Sequence, residues 1–223
     1  MLLNRVGEIM VGVTYGLQYG LLALGLVLIW RSSKFVNFAH SAMGILGSLV
    51  LGRLVLDAGF PYFVALLLAL LFGAGFAALI ERQFVQPLFN APRLVLLIAS
   101  IGIGQTAFGL GALEFHLGFL KNPFLLVLNG RAFPEPFHFT WVIGRIALSS
   151  SQVVTLIVAP VIAVGLQLLF TRTELGRTIR AASANPEAAR LAGISVRKTS
   201  RLVWIIAGVL STLTAVLQAP DHV

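Results

Sequence analysis

Six stretches of the chain stay apolar over the length of a membrane-spanning helix, and polar segments of varying length separate them. They cover residues 9–30, 35–56, 62–80, 94–113, 149–170 and 202–219. About 20 apolar residues carry an α-helix across the hydrocarbon layer. The pattern therefore predicts an all-α, polytopic integral membrane protein with about six transmembrane helices in one domain, residues 1–223. In the first span Gly12, Gly16 and Gly20 recur every four residues, a flat seam for close helix approach. Gly73/Ala77, Ala74/Ala78, Ser100/Gly104 and Ala107/Gly111 are comparable small-residue pairs in the third and fourth spans. Pro160 is tolerated in the fifth as a kink. Ser211, Thr212 and Thr214 of the sixth can bond back to their own helix or across to a neighbour. Residues 81–93, with Pro87 and Pro92, read as a polar loop. Residues 114–145 carry Gly118, Pro123, Gly130, Pro134 and Pro136 and read as a long irregular loop or re-entrant edge facing outside.

Composition supports the same class. Of 223 residues 58% are hydrophobic and only 11% charged, and the mean hydropathy is +0.94. A soluble domain carries roughly a quarter charged residues. The net charge of +8 is no sign of nucleic-acid binding, because its largest block lies between two spans. The absence of cysteine excludes disulfides and thiolate metal sites. The first apolar run is about twice the length of a signal-peptide core and no small-x-small cleavage site follows it, so it reads as an uncleaved span.

The longest polar segment, residues 171–201, holds seven Lys and Arg against Glu174 and Glu187. Its pattern predicts two short helices. Thr173 is placed to cap the first, in which Leu175, Ile179 and Ala182 share a face. Asn185 stops it and caps a second over 186–192, with Pro186 at its first position and Glu187 in the first turn, where the helix dipole favours a carboxylate. Gly193 supplies a left-handed stop and Ser195 can cap the next span. The second helix is small-faced and held in a fixed hairpin, a docking surface. Placing this loop in the cytoplasm puts eleven of the sixteen Lys and Arg inside and leaves Arg5, Arg53, Lys121, Arg131 and Arg145 outside or near the outer edge. That distribution obeys the positive-inside rule.

Few polar residues lie within the spans. Gln18, beside Thr14, and the pair Gln105 and Thr106 are candidates for a translocation path; interhelical hydrogen bonding accounts for a buried amide equally well. Asn37 and His40 are three apart and are expected on one helical face, as a satisfied polar cap at the membrane interface or as part of a site. No further ligands are spaced for a metal there, and Ser41 points elsewhere on a helix. His116 and His138 lack metal-ligand spacing.

Glu187-Ala188-Ala189, three residues and then Gly193 resemble the EAA loop of ABC-transporter permeases. The segments 36–48 (VNFAHSAMGILGS), 81–93 (ERQFVQPLFNAPR), 94–104 (LVLLIASIGIG) and the central loop are similar, in order, to those of branched-chain amino acid permeases. Ser41 stands where that family usually has Gly, and the Leu-Pro ending of the longer loop consensus is absent. The resemblance implies a permease subunit of an ATP-driven importer in the bacterial inner membrane. Its coupling residues would be Pro186, Glu187, Ala188, Ala189 and Gly193, docking on cytoplasmic ATPase subunits. It implies Asn37 and His40 as a packing motif, a second permease subunit (a copy or a sister), a periplasmic binding protein, and ATP bound by the partner, with no cofactor, metal or catalytic residue in this chain. The solute would be a branched-chain or related amino acid; urea, amides or another small solute are alternatives within the class. An ion-coupled carrier is an alternative outside it, as is an intramembrane enzyme using His40 with Ser41 or Glu114. The sequence lacks both a P-loop and a converging acid set for the enzyme. Permeases of this kind continue beyond the Ala219-Pro220 of this sequence. The resemblance thus implies a C-terminally incomplete permease that leaves faces of the fourth to sixth spans unpaired and folds poorly or does not transport alone.

Overall fold

The computed structural model describes the backbone of residues 2–89, 91–112, 116–117, 120–121, 133–137, 139–143 and 146–222. The protein is a multi-pass helical membrane protein. Its long helices are α1 (Leu2–Ser33), α2 (His40–Leu56), α3 (Tyr62–Ile80), α4 (Arg93–Ala112), α5 (Ser150–Arg172) and α8 (Val196–Gln218), with two short helices, α6 (Glu174–Ala184) and α7 (Pro186–Leu191), between the last two. Five helical stretches are long and apolar enough to cross a membrane, and α2 is a shorter apolar helix of 17 residues. Among the described residues the strands form two small antiparallel hairpins, β1 (His116–Leu117) with β2 (Leu120–Lys121), and β3 (Thr140–Ile143) with β4 (Ile146–Ser149).

The bundle is built around α8. Two thirds of its spanning window (67%) is buried, against 11% for α5, and its most extensive contacts are with α1, α2 and α3. The sixth span is thus packed on most of its surface, and the core sits around it. Small residues make the approach possible. A Cβ on Gly208 would lie 2.5 Å from the carbonyl oxygen of Gly73, and one on Gly44 would collide with the Ser211 carbonyl. Gly47 and Gly73 both face Thr212. Helix–helix association in lipid depends on such close van der Waals contact. The Gly73/Ala77 face is used in this way, and so are Ser100, Gly104 and Ala107, which pack toward the start of α2. The seam of Gly12, Gly16 and Gly20 has nothing within 4 Å of its would-be Cβ atoms, so it is unpacked among the described residues.

Local chemistry fixes the corners. Lys34 takes a left-handed conformation (φ 57°), and its N–H donates to the Trp30 carbonyl at 2.8 Å, ending α1. Asn37 precedes α2 instead of lying on it. Its Oδ1 accepts from the Ala39 N–H (3.1 Å) and its carbonyl from the His40 N–H (3.2 Å), so Asn37 makes the turn that starts the helix. Residues 81–85 are not loop: α3 runs on into a π-helical turn, Glu81–Val85. Ser149 caps α5 reciprocally with Gln152, so the region expected to be irregular delivers the chain through a paired hairpin, Thr140 opposite Ser149. Ser150 also donates to Glu135 and to the Phe137 carbonyl. Glu114, His138, Arg131 and Arg145 lie outside the described residues, as do the side chains of Arg5, His116 and Lys121.

Candidate functional site

The α5–α6 corner is set by Thr173, whose hydroxyl donates to the Leu169 carbonyl and accepts from the Gly176 N–H at 3.1 Å. Gly176 is required there, because a Cβ would strike the Leu169 and Phe170 carbonyls. Ile179 and Ala182 of α6 are buried, whereas Leu175 is exposed, contrary to its expected place on the buried face. Asn185 Oδ1 accepts from the N–H groups of Glu187 and Ala188, both at 3.1 Å, and Pro186 occupies the first turn of α7. Helix α7 ends at Leu191, one residue before the predicted end, and Gly193 follows at φ 79°. Ser195 is at the cap position of α8, but its side chain makes no capping bond; its carbonyl accepts from Thr199 instead.

The two faces of α7 differ. Ala189 is buried with Ala182 and Val196, so it packs α7 against α6 and α8. Glu187, Ala188 and Leu191 are exposed, Leu191 to 92%. On this six-residue helix, capped at its start by Asn185, Leu191 is left unpacked among the described residues. Arg190 of the same helix lies over the Phe89 ring, 6.0 Å from its centroid.

The loop, the 31–34 turn and the end of α3 gather at one end of the bundle. Trp204 Nε1 donates to Ser33 Oγ (3.0 Å), α6 touches α1, and Arg201 Nε meets Glu81 Oε2 at 3.5 Å. The three basic segments assigned to one side of the membrane thus share one end. Here sequence reasoning missed a constellation. Glu81 is 1% exposed and accepts from Gln86 Nε2 on both oxygens (3.1 and 3.0 Å) as well as from Arg201. It borders an open cavity of about 380 Å³ lined also by Phe89, Arg190, Ser195, Arg197 and Ser200. Glu81 and Arg201 are 120 residues apart, so no local spacing signals the pair.

The path candidates separate. Gln18 is fully buried and its Nε2 donates to the Leu217 carbonyl at 3.2 Å, an α1–α8 hydrogen bond. Gln105 and Thr106 are exposed on α4, Thr106 donating to the Gly102 carbonyl (2.9 Å). Gln18 thus lies inside the bundle and Gln105 on its surface. The His40 ring is buried over Gly25 of α1, where a Cβ would stand 2.5 Å from Nε2, and its carbonyl accepts from Ser211 Oγ. Phe38 N–H donates to Ser100 Oγ at 3.1 Å. Residues 37–40 thereby join α1, α2, α4 and α8. A second cavity of about 380 Å³, almost wholly apolar, lies toward the opposite end between α3, α5 and α8.

The chain is 26% identical over 221 residues to the high-affinity branched-chain amino acid transport system permease protein LivH of Escherichia coli (strain K12), covering 92% of this chain and 68% of that protein. It is 30% identical to the probable branched-chain amino acid transport permease protein LivH of Methanocaldococcus jannaschii, covering 95% of this chain and 66% of the relative. Over 81 residues it is 35% identical to the nucleoside ABC transporter permease protein NupB of Lactococcus lactis, 36% of this chain and 22% of that one. No solved structure matches the chain. The profile of the family described as branched-chain amino acid transport system / permease component matches residues 9–222, and the chain belongs to that family.

Proposed function

We propose that this chain is the membrane-spanning subunit of an ATP-driven importer for branched-chain or related amino acids, placed in the inner membrane. A cytoplasmic ATPase docks on α7, a second permease subunit completes the path, and a periplasmic binding protein delivers the solute. ATP is bound and hydrolysed by the partner, and the permease couples that cycle to rocking of its helices. The observation that carries this reading is the outward face of α7: Glu187, Ala188 and Leu191 exposed on a short helix whose geometry is held by Asn185 and Gly193. The names of the relatives support the solute class, and the nucleoside permease keeps other small solutes in the comparison set.

The test is co-purification of the full-length chain with its ATPase, wild type against Glu187→Arg plus Gly193→Pro. Arg reverses the charge at the helix start, and Pro, with φ fixed near −65°, does not fit φ 79° at residue 193. The double variant is expected to insert normally and lose the ATPase. Retention of the ATPase by the variant would sink the docking assignment. In vesicles, uptake that survives ATP depletion but collapses with the proton gradient would replace the importer by an ion-coupled carrier.

A further inference from the structure

Two side-chain contacts reach the end of α3 from the α7–α8 segment. Glu81 stands where α3 passes into the π-helical turn, and its buried carboxylate faces Arg201 in the first turns of α8. Arg201 follows α7 by only ten positions, through the Gly193–Ser195 turn. On the other side of the cavity Arg190 of α7 rests on Phe89, just beyond the π turn. A cavity absorbs displacement, because its walls can move without pushing on each other. Contacts that cross it do not. Of the two ties, the ionic one is the firmer, since separating it leaves a carboxylate buried without its countercharge.

The segment that receives the motion is suited to it. Gln86 N–H donates to the Glu81 carbonyl at 2.8 Å, an i→i+5 bond that holds one residue more than an α-helical turn. A π turn converts to α by shifting one residue, which rotates whatever helix continues from it. Gln86 also holds the Glu81 carboxylate, so the side chain that meets Arg201 is clamped by the same turn. We propose that Glu81 and Arg201 form the joint through which motion of α7 enters α3, with Arg190 on Phe89 as a second tie. The proposal rests on the docking of an ATPase on α7. In this proposal Glu81 and Arg201 are positioning residues.

The experiment reconstitutes the full-length chain with its ATPase, second permease subunit and binding protein in liposomes, and measures solute uptake and ATP hydrolysis in the same vesicles. Glu81→Gln with Arg201→Gln removes both charges together and leaves no unpaired buried ion. This variant is expected to keep the ATPase bound and hydrolysing, while uptake per ATP falls at least about fivefold. Arg201→Lys, which keeps the charge, is expected to retain the wild-type ratio. Arg190→Met changes an exposed side chain, leaves the fold intact and is expected to lower the ratio through loss of the second tie. Unchanged uptake per ATP in the double variant overturns the joint, whatever Arg190→Met does. If the wild-type chain recruits no ATPase, the failure lies in the function proposed above, and the joint falls with it.

Discussion

Leu191 offers the sharpest test of the docking surface, because its contribution to folding and its contribution to binding separate cleanly. At 92% exposure it makes almost no contact within the chain, so Leu191→Asp is expected to change stability by no more than about 0.5 kcal/mol, as for other surface sites. If a partner covers it, the lost burial of one leucine is worth about 1.5–3 kcal/mol. That corresponds to roughly 10- to 150-fold in affinity. Placing a carboxylate in the contact adds desolvation cost and moves the effect toward the upper end. The assay is a binding titration of the purified ATPase against the detergent-solubilised chain, with Ala58→Asp as control. Ala58 is exposed in the turn at the other end of the bundle. An affinity within about threefold of wild type for Leu191→Asp, less than 1 kcal/mol, would refute the reasoning, since burying a carboxylate in place of the leucine should cost more than that. A matching loss in the Ala58 variant would refute it as well, by showing a general effect of added charge.

Three further outcomes are expected. Gly73→Val drives a side chain into Thr212 and toward the Gly208 carbonyl, and is expected to cost about 1–3 kcal/mol by overpacking, whereas Gly75→Val, with nothing within 4 Å, is expected to be near neutral; thermal unfolding in detergent distinguishes them. Asn185→Ala removes the acceptor for the Glu187 and Ala188 amides, costing α7 about 1 kcal/mol, and hydrogen exchange at those two amides is expected to accelerate while α6 is unchanged. Gln18→Leu removes one interhelical bond to Leu217, worth about 0.6 kcal/mol in membrane proteins; uptake by the reconstituted importer is expected to persist, and its abolition in a stably folded variant would return Gln18 to the solute path.

What the sequence made legible was mostly local. Thr173, Asn185 and Gly193 act on amides and torsions within three residues of themselves, so their types and spacing were enough to outline α6 and α7. The spans were legible for a similar reason, since the bilayer imposes one length on each. Pairings between distant segments were not. The glycines of α1 have the more regular repeat, yet Gly44, Gly47, Gly73 and Gly208 are the ones in close contact, because spacing marks where an approach is possible and not which helix arrives. Gln18 was ambiguous until Leu217 was seen beside it, 199 positions away. Residues 81–85 read as loop because Glu81, Arg82 and Gln83 are polar; the helix continues since Glu81 finds Gln86 and Arg201 to satisfy its charge. Asn37 and His40 were placed on one helical face from their spacing, but Asn37 spends its side chain starting the helix that His40 begins.

The central position of α8 has a consequence for biosynthesis. The ribosome completes α2 at residue 56 and does not reach α8 until residue 196. At about 5–20 residues per second the early helices wait on the order of ten seconds or more for the element they pack around. Throughout that interval the small-residue faces of Gly44, Gly47 and Gly73 have no α8 to meet, and the His40 carbonyl has no Ser211. Nascent α1 to α3 must therefore be sheltered by the insertion machinery or pair provisionally with one another, and tertiary assembly is set by the arrival of α8 rather than by the order of insertion. Substitutions in α8 should accordingly act on yield through degradation of inserted but unassembled chain, a failure of timing that no count of spans detects.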